Sequence, residues 1–242
     1  IRAVDGLELD KNDIAMISGI GCTGRMPVYV DFNTMHTTHG RALAFATGLK
    51  MVKPEMKVLV VMGDGDALAI GGNHFIHAAR RNIGLTAIVV NNSAYGMTGG
   101  QHSPTTPRGI KTATTTYGHS HRQFPIAELA ATAGASFVAR STVYHVRELE
   151  KYLAQAIERD GFSLVEAVTY CHTTLGRINR WGTAPDMMRQ LKEQSVTLAQ
   201  ADKLEEDEKQ TKIVRGVFAD RDIPEYTRLY DQVIEKAQQE AA

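Results

Sequence analysis

Two cysteines, Cys22 and Cys171, are all that a chain of 242 residues contains. A disulfide-stapled secreted scaffold needs more than that, so a disulfide framework is excluded. No apolar run approaches the roughly 20 residues that span a bilayer. The first residues do not resemble a signal peptide. No membrane role is therefore expected, and the cytoplasm is the expected location. Net charge is lacking too, because 27 Lys and Arg balance 27 Asp and Glu. That removes the global field by which many proteins meet nucleic acid or anionic lipid. An initial methionine is also missing, since the chain opens on Ile1.

What is present is alternation. Between residues 14 and about 170, apolar strand-like runs such as KVLVVM (57–62), LTAIVVNN (85–92) and SLVEAVTY (163–170) alternate with helical stretches. The helical stretches are RALAFATGLKMV (41–52), GNHFIHAARRN (72–82), PIAELAATAG (125–134) and VRELEKYLAQAIERDG (146–161). Continuous apolar runs of strand length suit strands buried on both faces, and the rhythm predicts an α/β domain with a mainly parallel sheet. Asn82 and Gly84 supply the stop for the helix at 72–82. Residues 93–124 form a long Gly/Ser/Thr/Pro-rich connection, of a length usually reserved for function. Beyond about 176 the β signals fade. Residues 176–242 are expected to form a charged helical extension, with residues 1–175 as the main domain. The run KLEEDEKQTK (203–212) suits a solvated face, whereas Val214, Phe218, Tyr226, Leu229 and Val233 are expected to dock on a partner subunit or another protomer.

The chemistry concentrates at two strand ends. Gly63-Asp64-Gly65-Asp66 closes the first run, and Asn91-Asn92 closes the next, with the helix at 72–82 as crossover. In a right-handed βαβ unit both ends fall on one sheet edge, about 4.8 Å apart. Asp64 and Asn92 can then converge on a hard cation such as Mg²⁺, which takes one or two protein oxygens and completes its shell with phosphate. Gly63 and Gly65 allow close backbone approach, and the following helix turns N–H groups to the same edge. Thr98-Gly99-Gly100-Gln101 adds further hydroxyl and unhindered backbone. A lone Gly-Asp-Gly is usually a turn. The whole series of strand, Gly-Asp-Gly, helix, strand, Asn-Asn and Gly-rich loop predicts a metal-bridged diphosphate.

That series resembles the thiamine-diphosphate-binding motif. With SGIGCTGR (18–25), HTTHGRALAFATGLK (36–50) and NNSAYGMTGGQHSPTTPRG (91–109), residues 14 to 175 resemble the β subunit of 2-oxoacid:ferredoxin oxidoreductases, most nearly the 2-oxoglutarate branch. The resemblance implies the diphosphate-binding half of the thiamine fold. It implies Mg²⁺ ligation by Asp64, Asn92 and the Ala94 carbonyl, with Gly40, Gly63, Gly65, Asp66, Thr98 and Gly99 around the cofactor. Arg25 matches a position suited to the distal carboxylate of a dicarboxylic 2-oxoacid. His39 and His102 are candidates for contact with cofactor or substrate. Cys22 and Cys171 match two ligands of a [4Fe–4S] cluster. The family's early Cys-x-x-Cys pair is absent, and two thiolates do not hold four irons. A trimmed N-terminus is expected rather than a lost cluster.

The implied partners are an α subunit that supplies the activating Glu, ferredoxin and coenzyme A, in a dimer of heterodimers. Running as a carboxylating synthase, such an enzyme serves a reductive TCA cycle. Pyruvate or another 2-oxoacid is the alternative substrate. A non-oxidative thiamine enzyme resembling acetolactate synthase is the alternative activity, and a non-catalytic assembly subunit a third. His74 and His77 are expected to pack or face solvent, as no zinc-like ligand spacing includes them.

Overall fold

The computed structural model describes residues 1–241. Its strands are β1 (Ile14–Ser18), β2 (Asn33–His36), β3 (Lys57–Gly63), β4 (Leu85–Asn91), β5 (Ala94–Tyr95), β6 (Gln101–His102), β7 (Phe137–Thr142), β8 (Ser163–Val168), β9 (Ser195–Thr197) and β10 (Ile213–Asp220). The helices are α1 (Arg2–Gly6), α2 (Ala42–Val52), α3 (Gly72–Arg81), α4 (Ile126–Ala133), α5 (Val146–Glu158), α6 (Ala184–Gln194), α7 (Leu198–Ala201), α8 (Glu206–Lys209) and α9 (Tyr226–Ala241). Eight strands form one sheet in the order β2-β1-β3-β4-β8-β7-β10-β9, and β5 and β6 form a separate hairpin. Six neighbouring strands, β2 to β7 in that order, are parallel. The expected mainly parallel α/β architecture is what the chain adopts.

Strand β3 shows why its sequence is continuously apolar. Val58, Val60 and Met62 face the core beneath α2, α3 and α4, with Leu43, Phe75 and Ile126. Leu59 and Val61 face the other layer, with Val4 from α1 and Ile157 from α5. A strand covered on both sides by helices has no polar face to show. The register pairs Gly63 with Val90, so Asp64 and the Asn91-Asn92 pair leave the sheet side by side.

The region beyond residue 176 departs from the expected all-helical extension. Helices α6 and α9 are present, but β10 joins the main sheet antiparallel to β7, with β9 parallel beyond it. The strand is half-buried, carries Gly216 at φ +148 and shifts register between Val217 and Ala219. Such a bulged edge strand has neither a continuous apolar run nor clean alternation, and antiparallel addition at a sheet edge tolerates that. Of the positions expected to dock elsewhere, Val214 is buried, while Phe218 and Tyr226 pack on the chain's own core. Leu229 and Val233 are exposed on α9.

Asn82 fastens this extension. It is the left-handed cap of α3 (φ 54), and all four of its side-chain hydrogen-bonding positions are used. Its Oδ1 accepts from the Ser136 hydroxyl (2.9 Å) and the Phe162 N–H (2.8 Å). Its Nδ2 donates to the carbonyls of Ile223 (3.2 Å) and Pro224 (3.1 Å). Glu225 then accepts from the Gly84 N–H at 2.7 Å. Among the described residues no helix is long and apolar enough to cross a membrane.

Candidate active site

A cleft of about 190 Å³ opens where β3 and β4 end, and it gathers most of the anticipated residues. Gly63, Asp64, Gly65 and Asp66 line one side, and Asn92, Ala94 and Thr98 another. Cys22 and His39 complete it, with Tyr95 and Gly96 between.

Asp64 is 1% exposed. Its Oδ2 accepts from the Ser103 hydroxyl at 2.5 Å and from the Thr105 hydroxyl. Burial pushes its carboxyl pKa up, and those hydroxyls with the N–H groups of Asp64 and Gly65 only partly oppose it. Among the described residues no cationic side chain pairs with it. A buried carboxylate without a counter-charge fits a cation ligand. Asn92 folds back so that its Oδ1 accepts from the Ala94 N–H (3.1 Å), which fixes its side chain at the end of β4. No cluster of three or more His, Cys, Asp or Glu among the described residues is placed to hold a metal. Magnesium at Asp64 and Asn92 would therefore use amide and main-chain oxygens and keep positions for phosphate, as Mg²⁺ characteristically does.

Gly65 explains its own identity. A Cβ there would sit 2.2 Å from the Tyr95 ring, so any other residue would displace the aromatic wall of the cleft. The chain then enters a π-helical turn, Asp66–Ile70, a form that recurs at functional sites.

Asp66 works differently from a simple helper to the diphosphate. Its Oδ1 accepts from the Gly40 N–H (2.6 Å) and the Ile20 N–H (3.4 Å), tying together the loops after β1 and β2. His39 Nδ1 lies 2.9 Å from the same oxygen, although not aligned for a hydrogen bond, and Asp66 Oδ2 is buried without a partner. Burial raises the Asp66 pKa against the opposing pull of Gly40 and His39. Gly40 thus contributes through its amide, from behind Asp66.

Besides Gly40 and Cys171, three candidates fall short of the cleft. Arg25 is exposed on a 3₁₀ segment beside Cys22 and does not line it. His102 is turned by the β5–β6 hairpin towards Thr114, whose hydroxyl lies 2.7 Å from its Nδ1, and its ring lies 5.0 Å from that of His119. Gly99 sits exposed at the hairpin turn, while Thr98 and Gln101 bond each other reciprocally at 2.7 and 2.8 Å. Sequence reasoning in turn passed over Tyr95 and the buried hydroxyls of Ser103, Thr105 and Thr106. Their signal was a Ser/Thr-rich loop, which looks the same whether solvated or buried.

Cys22 lines the cleft, and the buried Cys171 lies behind its Gly96 wall. A Cβ on Gly96 would lie 3.0 Å from Cys171 Sγ, 3.9 Å from Cys22 Sγ and 3.9 Å from Asn92 Nδ2. Burial pushes the Cys171 thiol up, but the Thr173 and Thr174 hydroxyls and the N–H groups of Thr174 and Leu175 outweigh it. The net effect is a lowered pKa. A thiol biased to thiolate is what a metal ligand requires.

The profile of the thiamine pyrophosphate enzyme C-terminal TPP-binding domain matches residues 19–167. Subunit KorB of 2-oxoglutarate synthase from Archaeoglobus fulgidus is 63% identical over 174 residues, 72% of this chain and 64% of that protein. The protein of the same name from Methanocaldococcus jannaschii is 45% identical over 240 residues, 99% of this chain and 89% of that one. The chain belongs to the 2-oxoacid:ferredoxin oxidoreductase β-subunit family. A solved 2-oxoglutarate:ferredoxin oxidoreductase from Magnetococcus marinus, with 2-oxoglutarate, coenzyme A and succinyl-CoA bound, superposes with a TM-score of 0.86 at 30% identity. It covers 98% of this chain, which covers 81% of it.

Proposed function

We propose that this chain is the β subunit of a thiamine-diphosphate-dependent 2-oxoglutarate:ferredoxin oxidoreductase. The complex would interconvert 2-oxoglutarate, coenzyme A and oxidised ferredoxin with succinyl-CoA, CO₂ and reduced ferredoxin. The observation that carries this reading is Gly96, around which Asn92 and both thiols gather within 4 Å of one point. A non-oxidative decarboxylase has no use for thiolates there. An enzyme that passes electrons one at a time from cofactor to iron does.

Thiamine diphosphate, when bound, supplies the decarboxylation chemistry at its thiazolium ring. The residues of this chain bind and orient it. Asp64, Asn92 and the Ala94 carbonyl would hold Mg²⁺ and with it the diphosphate, with Gly63, Gly65 and the backbone at Thr98 giving it room. Tyr95 walls the cleft over Gly65, and His39, whose ring centroid lies 6.1 Å from that of Tyr95, contacts cofactor or substrate beside it. Cys22 and Cys171 supply two of the four ligands of a [4Fe–4S] cluster. Arg25, on the rim beside Cys22, pairs with the distal carboxylate of 2-oxoglutarate. The acidic groups lining the cleft are Asp64 and Asp66, so the activating Glu comes from the α subunit, and α9 offers Leu229 and Val233 to an assembled heterodimer. Relatives named for 2-oxoglutarate support this substrate over pyruvate.

The test is iron and electron transfer in the complex purified anaerobically with its α subunit. It should contain iron and reduce ferredoxin on addition of 2-oxoglutarate and coenzyme A. Cys171→Ser should lose both while retaining thiamine diphosphate. A complex that decarboxylates 2-oxoglutarate without iron refutes the oxidoreductase assignment.

A further inference from the structure

The long connection between β4 and α4 does more than cross the surface. Midway, Ser103-Pro104-Thr105-Thr106 dives beneath the cleft, with the three hydroxyl residues 1%, 1% and 0% exposed. The tetrapeptide closes on itself as a turn. Its Thr106 N–H donates to the Ser103 carbonyl (3.2 Å), and the Ser103 N–H donates to the Thr106 hydroxyl oxygen (2.8 Å). Pro104 holds the position where a fixed φ favours such a turn.

The three hydroxyls reach two different strand ends. Those of Ser103 and Thr105 both donate to Asp64 Oδ2, after β3. That of Thr106 donates to the Ser93 carbonyl at 2.7 Å, after β4. Ser93 stands between Asn92 and Ala94 at φ 59, a conformation that a non-glycine residue keeps only where its surroundings hold it. With both hydroxyls on Oδ2, the carboxylate of Asp64 is held in one orientation. One rigid turn therefore sets the rotamer of one metal ligand and the backbone of the loop bearing the other two.

We propose that Ser103, Thr105 and Thr106 are positioning residues. They fix the spacing of Asp64 against Asn92 and Ala94, and so set the affinity of the thiamine diphosphate site for its divalent cation. This rests on the thiamine-diphosphate function proposed above. Magnesium tolerates little departure from octahedral geometry, so a loosened ligand pair loses Mg²⁺ before it loses the larger and more permissive Ca²⁺.

The experiment is calorimetric titration of thiamine diphosphate into the complex with its α subunit at graded Mg²⁺ and, separately, Ca²⁺. Thr105→Val and Thr106→Val should each raise the Mg²⁺ needed for half-maximal binding about tenfold or more, as loss of ligand-orienting partners typically does. The Ca²⁺ requirement should shift less, and Thr105→Ser should restore the wild-type value. A Thr105→Val complex that melts like wild type and shows an unchanged Mg²⁺ requirement overturns the proposal. Should that variant fail to fold, Ser103→Ala decides by the same titration, because Thr105 still pins Oδ2 while half the clamp is gone. Wild type that binds no thiamine diphosphate at any cation concentration overturns the functional reading and the clamp with it. Wild type with Mg²⁺-dependent binding and unaffected variants overturns the clamp alone.

Discussion

Asn82 offers the sharpest energetic prediction. Replacing it by Ala removes four hydrogen bonds whose other ends differ in burial. Ser136 and Phe162 are fully buried, whereas Ile223 is partly and Pro224 well exposed, so those two carbonyls can turn to water. The Phe162 N–H and the Ser136 O–H cannot. An unsatisfied buried group costs about 1–3 kcal/mol, and the hydroxyl can partly recover by rotation. Holding Ala in the left-handed conformation adds about 1 kcal/mol. Asn82→Ala should therefore destabilise by about 3–5 kcal/mol, a large share of the roughly 5–15 kcal/mol by which domains are stable.

Companion variants separate the two contributions. Asn82→Gly loses the same bonds but is at ease at φ 54, so it should be about 1 kcal/mol less damaging than Ala. Asn82→Asp keeps both acceptor roles and turns oxygen against the carbonyls of Ile223 and Pro224. It should loosen residues 221–241 selectively. Urea denaturation followed by circular dichroism gives the stabilities, and limited proteolysis reports the release of α9. An Asn82→Gly protein within about 0.5 kcal/mol of wild type, the scatter of an ordinary surface substitution, would refute the argument that these bonds hold the extension.

Gly65→Ala places a methyl group 2.2 Å from the Tyr95 ring, so thiamine diphosphate binding by the complex should be lost while the sheet folds; Gly65→Ala with Tyr95→Ala should recover part of it, and recovery of none would show that the ring is not the obstacle. Glu225 is pushed up by burial, but the Thr227 hydroxyl and the N–H groups of Thr227, Gly84 and Arg228 outweigh this and hold its pKa below the usual range. Its contribution is therefore complete above the unfolded value of about 4.3 and disappears as pH falls through the lower folded value. Proteolytic release of α9 should rise on acidification below about pH 4, and an unchanged acid profile in Glu225→Gln would count against this. Arg25→Ala should raise KM for 2-oxoglutarate at least tenfold and leave pyruvate turnover untouched, as a charged hydrogen bond of about 1.5–3 kcal/mol implies; equal effects on both substrates would remove Arg25 from specificity.

The strand ends were legible because two constraints coincide there. A strand buried on both faces must read as an apolar run, and the break at Gly63-Asp64-Gly65 or Asn91-Asn92 marks where it meets the open edge of the sheet. Side-chain direction beyond that edge was not legible. Arg25 and His102 neighbour cleft residues in sequence, yet a 3₁₀ turn leaves one exposed and a hairpin turns the other to Thr114. Asp66 looked like a second phosphate-site carboxylate, and only the fold brings Ile20 and Gly40 amides to it. The strand β10 escaped because Gly216 and the bulge after Val217 interrupt its alternation.

Strand β10 also changes what the extension is for. Its Val214 carbonyl accepts from Arg140 Nη1 at 3.3 Å, and Arg140 Nε donates to Glu166 Oε2 at 2.7 Å. Glu166, on β8, accepts on its other oxygen from Asn91 Nδ2 at 2.8 Å, and Asn91 Oδ1 accepts from the Ser93 N–H at 3.2 Å. An unbroken chain of polar contacts thus runs from the extension through three parallel strands to the loop that carries Asn92 and Ala94. A buried ion pair of this kind contributes little net stability against an apolar replacement, because desolvation offsets most of its attraction. What it supplies is registry. Glu166 satisfies both Arg140 and Asn91 only when β4, β8 and β7 end at matching heights, and Arg140 reaches Val214 only when β10 is docked. The extension is therefore built into the frame that holds the loop of Asn92 and Ala94.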